Sequence, residues 1–324
     1  MVGVVRVHEV GGPEVLRFED IEVGSPGPGQ ALIRQTAVGL NFIDVYFRSG
    51  LYPPPQLPFV AGQGGAGVVE AVGDGVTDLR VGQRIAYAGS LGAYAERRLM
   101  AADRLVPLPD GVSDEQAAAM MLKGMTAQYL LRQTYRVQAG QTILFHAAAG
   151  GVGLIASQWA KHLGATVIGT VGSDAKAELA KAHGCAHVIR YDREDVVARV
   201  REITGGKRVL VVYDSVGQAT FGASLDCLAP RGMLVSFGQS SGKIPPVDLG
   251  ILSQKGSLYV TRPTLVTYTA ERADLLAAAK ELFEVVRSGA VRIQINQRFP
   301  LREAAEAHRT LESRRTTGST LLLP

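Results

Sequence analysis

Over the first hundred residues, apolar and polar positions alternate in short bursts broken by Gly and Pro, with little helical periodicity. The opening MVGVVRVHEV reads as a strand, and residues 31–39, 67–72, 84–88 and 93–99 are the clearest others. Such a run builds a small antiparallel, barrel-like unit. From about residue 114 the period changes. Apolar bursts at 142–147, 166–171, 187–190, 209–214, 233–237 and 257–260 now alternate with segments of helix length. Between the first two, Val152, Ile155, Ala156, Trp159, Ala160 and Leu163 fall on one stripe of a helix. Near-continuous apolar strands joined by helices predict a parallel sheet covered on both faces. The tail changes again, with a helix expected over 271–288, a strand near 293–299, a helix over 302–313 and a last strand over 319–323. The pattern predicts an α/β chain, with a doubly wound parallel sheet at 123–263 inserted into a β-rich domain made of 1–122 and 264–324.

Composition narrows the class without choosing a chemistry. The 324 residues suffice for two cores, and 46% hydrophobic with 20% charged is an ordinary globular balance. A net charge of +4, spread along the chain, lacks the Lys/Arg blocks of nucleic-acid tails. Two cysteines, Cys185 and Cys227, make no disulfide framework. The N-terminus has no signal-peptide character, and no apolar run of about 18 residues is present, so a cytoplasmic protein is expected.

The chemistry begins at TILFHAAAGGVGLIASQWAKHLGATVIGTV, residues 142–171. An apolar strand runs into Ala148, Gly150, Gly151, Val152 and Gly153, and then into the amphipathic helix. In the dinucleotide fingerprint the small residues make the turn, admit the pyrophosphate to the backbone, and let helix and strand pack closely. Helix N-terminal amides then hold the phosphates. Ala148 stands where the fingerprint has its first glycine, which weakens the bare motif. At the tip of the second strand, where an NAD site wants an acid, the chain reads Gly172-Ser173-Asp174-Ala175-Lys176. Without a carboxylate at Gly172, a 2′-phosphate meets no repulsion there, while Ser173 and Lys176 can donate to it. NADPH is the expected cofactor. Asp174 has two readings: a displaced ribose acid, or a first-turn acid complementing the helix dipole.

Together with GLNFIDVYFRSGLY (39–52), LKGMTAQYLL (122–131), VVYDSVG (211–217), SFGQSSG (236–242) and LYVTRP (258–263), these residues resemble the quinone oxidoreductase family of the medium-chain dehydrogenase/reductase superfamily. The likeness runs over essentially the whole chain. It implies a GroES-like catalytic domain, a Rossmann domain, a homodimer, NADPH as donor and quinones as acceptors. By the same likeness, Lys176, Tyr191 and Arg314 surround the 2′-phosphate, and Thr126, Gly153, Ser215, Phe237, Ser240 and Ser241 line the rest of the cofactor path. Asn41, Asp44, Tyr46 and Tyr52 face the nicotinamide or acceptor, together with Arg262. Each has a plainer reading: packing for the tyrosines, a turn for Asn41, loop hydrogen bonding for Asp44. One position departs from the family, which carries Glu where this chain has Gly64.

Zinc alcohol dehydrogenases share this architecture, but at their ligand positions this chain has Asn41 and Gln63, neither a credible zinc ligand. His183-x-Cys185-x-His187 spaces like a metal tract, yet it reads as a helix exit capped at Gly184 with Cys185 as buried filler. No metal is expected. The other histidines, His8, His146, His162 and His308, form no set by spacing. Without metal, an acceptor carbonyl is polarised by hydrogen bonds, for which Tyr46 and Asn41 are the candidates. Reduction of enones and enals by the same site is the alternative activity. Single-stranded nucleic-acid binding is a remote one, because aromatics make up only 6% and the arginine pairs lie far apart.

Overall fold

The computed structural model describes all 324 residues, which divide into two compact units. The first comprises residues 1–125, 269–287 and 293–324, and the second 126–268 and 288–292.

The first unit begins with β1 (Val2–Val7), β2 (Leu16–Ile21), β3 (Gln30–Leu40), helix α1 (Phe42–Arg48), β4 (Phe59–Val60), β5 (Gly64–Val72), β6 (Arg84–Ala88), β7 (Arg97–Ala101) and β8 (Val106–Pro107). Helix α2 (Asp114–Tyr129) follows. The second unit contributes β9 (Thr142–Phe145), α3 (Gly151–His162), β10 (Thr166–Val171), α4 (Asp174–Ala182), β11 (Cys185–Arg190) and α5 (Val196–Ile203). It continues with β12 (Val209–Asp214), α6 (Phe221–Asp226), β13 (Leu228–Ser236), α7 (Gly250–Gln254), β14 (Tyr259–Thr261) and α8 (Leu265–Tyr268). The chain then returns to the first unit as α9 (Arg272–Arg287), β15 (Ile295–Pro300), α10 (Ala304–Glu312) and β16 (Ser319–Leu323).

In the first unit a seven-stranded sheet runs β15-β16-β3-β5-β6-β8, with β7 also on β3, beside a three-stranded sheet β2-β1-β4. Val5, Val7, Ile33, Val38, Leu40, Ile85, Tyr87, Tyr94 and Leu322 are buried together as its core. Helix α2 lies hard against β3, for a Cβ on Gly39 would overlap the Ala118 carbonyl. The strand expected at 93–99 is displaced to Arg97–Ala101. The backbone before it is bonded elsewhere: the Tyr94 amide donates to the Ala61 carbonyl, its carbonyl accepts from the Val5 amide, the Glu96 amide donates to the Gly3 carbonyl, and Gln35 Nε2 donates to the Ala93 and Ala95 carbonyls at 2.7 and 2.6 Å.

The second unit is a parallel six-stranded sheet in the order β11-β10-β9-β12-β13-β14. Numbered within the unit, this is 3-2-1-4-5-6, the dinucleotide-binding order. Its strands carry Leu144, Ile168, Ile189, Val212 and Leu234, all buried, which is why the sequence runs are continuously apolar. The α3 stripe packs inward through Ile155, Ala156, Trp159 and Ala160, and Leu154 and Ser157 widen it. Two expected strands are shorter than their apolar runs: 142–147 ends at Phe145 and 257–260 starts at Tyr259. In both places a non-glycine residue takes a left-handed turn, Ala147 at φ 54° and Ser257 at φ 56°.

Candidate functional site

In the second unit the turn after β9 carries the candidate phosphate-binding residues. The left-handed residue of that turn is Ala147, so Ala148 has no need of glycine's freedom. Room for the Ala148 methyl comes from the next strand, where a Cβ on Gly169 would come within 2.6 Å of Ala148 Cβ and of Cys185 Sγ. The departure at the first fingerprint position is thus compensated by Gly169. Gly153 does what its position predicts: a Cβ there would lie 2.5 Å from the Ala147 carbonyl oxygen and 2.7 Å from Ala148 Cα. Helix α3 begins at Gly151 with Gly150 as N-cap, so Gly151, Val152 and Gly153 hold its first backbone amides, the groups that bind phosphate.

At the tip of β10, a Cβ on Gly172 would fall on the Tyr191 hydroxyl. Tyr191 itself is 55% exposed. Ser173 caps α4, its Oγ accepting the Lys176 backbone N–H at 3.3 Å. Asp174, left with two readings by the sequence, is held by Arg190 and by Arg193 Nη2 at 2.7 and 2.9 Å. It is a first-turn acid paired to two arginines, which lower its carboxyl pKa through hydrogen bonds.

Beneath this surface lies a buried polar chain that spacing gave no hint of. Asp214, at the end of β12, accepts the Val216 and Gly217 amides through Oδ1 at 2.7 and 3.1 Å. Its Oδ2 accepts the Thr220 and Ser224 hydroxyls at 2.7 and 2.8 Å. Ser224 Oγ, having donated to Asp214, accepts from His146 Nε2 at 3.1 Å, leaving Nδ1 to accept from Thr170 Oγ1 at 2.9 Å. Burial lowers the His146 pKa, so the ring is a neutral spacer between three strands. The loop carrying Ser215 is laced to the one carrying Phe237, Ser240 and Ser241. Ser240 N–H donates to the Ser215 carbonyl at 3.1 Å, and Ser241 Oγ donates to the Val216 carbonyl at 2.7 Å while accepting the Ala219 amide. Arg262 braces the same place, donating to Ser236 Oγ and the Gly238 carbonyl at 3.0 and 2.8 Å. Thr126 is buried, at the start of this unit.

In the first unit, Asn41, Asp44, Tyr46 and Tyr52 are gathered by one short helix. Asn41 is the N-cap of α1, and its backbone N–H donates to Asp44 Oδ2 at 2.8 Å, one half of a capping box. Asn41 Nδ2 donates to the Gly39 carbonyl, whereas Asn41 Oδ1 is buried without a hydrogen-bond partner. Tyr46 and Tyr52 pack with ring centroids 5.1 Å apart, and the Tyr52 amide donates to the Tyr46 carbonyl. Arg314 lies exposed after α10, in a left-handed turn at φ 60°.

Asp44 stands at the end of a second unforeseen chain. Arg48 Nη1 and Nη2 donate to Glu312 at 2.7 and 2.9 Å, and Nη1 also reaches His308 Nδ1 at 3.2 Å. His308 Nε2 then donates to Tyr94 Oη at 3.0 Å, and Tyr94 donates to Asp44 Oδ2 at 3.1 Å. Burial beside the Arg48 guanidinium pushes the His308 pKa down to about 3, so the ring is neutral. Desolvation raises the Asp44 pKa to about 7, against the opposing pull of its hydrogen bonds and of Lys123. Lys123, buried with Nζ donating to the Leu40 carbonyl at 3.0 Å, is pushed down to about 8 by desolvation. Of these groups only Asp44 is a site candidate by sequence. Tyr94, Arg48, Lys123 and His308 come from separate segments, and only the fold joins them.

The zinc positions do not fit a metal. Asn41 and Gln63 carry carboxamides, and no group of three or more His, Cys, Asp or Glu residues in the structure could hold an ion. In the 183–187 tract, Gly184 takes φ 106°, Cys185 is buried with its thiol on Ser157 Oγ, and His187 is exposed beyond a bulge. At Gly64 a Cβ would meet only ordinary contacts, the nearest being the Tyr87 carbonyl oxygen at 3.4 Å.

Residues 27–110 match the alcohol dehydrogenase GroES-like domain, and residues 151–282 match the zinc-binding dehydrogenase domain. The chain is 61% identical to a quinone oxidoreductase of Pseudomonas aeruginosa over 321 residues, 99% of each protein. It is 48% identical to a 2-haloacrylate reductase of a Burkholderia species over all of this chain and 99% of the relative. The crystal structure of Escherichia coli quinone oxidoreductase complexed with NADPH superposes with a TM-score of 0.98 at 51% identity, over 99% of this chain and 100% of that one. Sheet order, nucleotide turn and whole-length likeness agree, and the chain belongs to the quinone oxidoreductase family of the medium-chain dehydrogenase/reductase superfamily.

Proposed function

We propose that this protein is a zinc-independent oxidoreductase that uses NADPH to reduce quinones. The observation that carries the reading is the tip of β10. No carboxylate stands there, the Tyr191 hydroxyl lies over Gly172, and Ser173 and Lys176 follow at the start of α4. An acid at that tip would repel a 2′-phosphate, and its absence favours NADPH. The amides of Gly151, Val152 and Gly153 would take the pyrophosphate, and Tyr191 and Lys176 the 2′-phosphate. NADPH, when bound, supplies the hydride.

The chain's own groups then position and polarise. Tyr46 and the second amide hydrogen of Asn41 donate to the acceptor oxygen as negative charge develops on it. Asn41 Oδ1, buried and unpartnered, accepts from a donor on the bound ligands. Asp44 holds the N-terminus of α1, and with it Asn41, in place. Tyr52 shapes the wall beside Tyr46. Arg262 acts through the loop it braces.

The test is oxidation of NADPH and NADH with a panel of quinones and enones, with and without a chelator. Fast, chelator-insensitive oxidation of NADPH with quinones is expected. A preference for NADH, or loss of activity on chelation, refutes the reading. The relative named a 2-haloacrylate reductase favours a second one, reduction of an activated carbon–carbon double bond. Turnover confined to enones and acrylates would select it.

A homodimer and a cytoplasmic location are further parts of the proposal. Edge strand β14 exposes Tyr259 (59%) and Val260 (41%), with β13 as its one sheet partner, an unprotected edge suited to a second copy. Val260→Lys should shift sedimentation toward the monomer. Both cysteines are free and buried, and no helix is long and apolar enough to cross a membrane.

A further inference from the structure

The second unit carries an ion-pair cluster that the site described above does not use. Arg190 ends β11 opposite Val171 in the parallel register, so it lies beside the tip that leads into Gly172. Its guanidinium clamps Asp192 through Nε and Nη2 at 2.9 and 2.8 Å and also reaches Asp174, and its side chain is only 12% exposed. Arg190 is therefore locked. Arg193 differs: its side chain is 56% exposed, and Asp174 is its close partner, with Asp192 only at 4.0 Å. The cluster bridges the start of α4 and the end of β11, the two segments that carry Lys176 and Tyr191.

We propose that Arg193 is a further specificity residue for NADPH, exchanging the Asp174 carboxylate it clasps here for the 2′-phosphate of the cofactor. The proposal rests on the cofactor reading above and deepens it. An arginine fork prefers a phosphate dianion to a carboxylate, having more charge and more acceptor oxygens to engage. The contact given up is between exposed groups and is weak. Asp174 is not stranded by the exchange, because Arg190 and the N-terminal dipole of α4 still hold it. Asp174 is then an internal anion that competes with the phosphate, and Arg193 the arm it restrains.

Calorimetric binding of NADPH and of NADH to the full chain tests this in the parent, Arg193→Ala, Arg193→Lys and Asp174→Asn proteins, at low and high salt. Arg193→Ala should weaken NADPH by roughly fivefold, the scale of one exposed charged contact, and NADH far less. Arg193→Lys should recover part of that loss. Asp174→Asn should tighten NADPH by about two- to fivefold at low salt, an advantage that salt erodes. Arg193→Ala acting equally on both cofactors, or on neither, overturns the proposal, as does weaker NADPH binding by Asp174→Asn. A parent protein that binds NADPH and NADH alike refutes the 2′-phosphate site itself and the proposal with it. A parent that prefers NADPH beside an indifferent Arg193→Ala refutes only the role of Arg193.

Discussion

The buried pair Asp44 and Lys123 should give the first unit an inverted dependence of stability on pH. The perturbation is Asp44→Asn, which keeps an acceptor for the Asn41 amide and the Tyr94 hydroxyl and places NH2 where Oδ1 now has no partner. In the folded protein the Asp44 pKa is raised from 3.8 to about 7, chiefly by desolvation. At ~1.4 kcal/mol for each tenfold change, the carboxylate costs on the order of 4 kcal/mol once fully ionised. The folded state keeps its proton longer than the unfolded one. Stability is therefore full below pH 4 and is lost as pH rises through 7. Lys123 has the opposite sense. Its pKa is lowered from 10.5 to about 8, so its contribution is full above pH 10.5 and is lost as pH falls through 8. The two together place a trough between pH 7 and 8, where soluble proteins are usually near their best. Hydrogen exchange of amides in β3, α1 and β5 reads this unit directly, whereas the single tryptophan, Trp159, belongs to the other. The stability of Asp44→Asn minus that of the parent should grow between pH 4 and 7 by a few kcal/mol and level off above. A flat difference would show an Asp44 pKa unchanged by folding, one that shrinks with rising pH a stabilised carboxylate, and either would refute the reasoning.

Three further outcomes follow from the same contacts. Tyr94→Phe leaves the buried His308 N–H unpaired and removes a donor from Asp44, so chemical denaturation should show a loss of about 1–3 kcal/mol. Gly172→Asp should weaken NADPH by placing a carboxylate beside the 2′-phosphate and improve NADH relative to it, the exposed Tyr191 hydroxyl turning aside to admit the new side chain, as titration of each cofactor would reveal. Asp214→Asn replaces one acceptor oxygen by a donor among four inward-pointing donors, and thermal melts should fall by several degrees together with a raised KM for NADPH.

Local pattern alone determined a large part of this protein. The apolar bursts located every strand of the parallel sheet; the central strands are apolar throughout because they are buried on both faces, whereas edge strand β14 leaves Tyr259 and Val260 exposed. The Gly150–Gly153 turn was legible because the steric requirement at Gly153 comes from Ala147 and Ala148 a few residues away, and the tip at Gly172 was legible as the absence of an acid at one position. Where that strand pattern failed, at residues 93–99, the backbone of 93–96 is shared among β1, residues 61–62 and a glutamine side chain 58 positions away. Likewise Ala148 looked like a weakness until Gly169, on the adjacent strand, was seen to make room for it. Only the tertiary structure decided the polar chains. Asp44, Tyr94, His308 and Arg48 lie on segments up to 264 residues apart, and His146 meets Asp214 through a serine 78 residues on. Such groups have no periodicity to betray them. Burial makes hydrogen bonding obligatory, and which partners satisfy it is fixed by where the sheets bring them together.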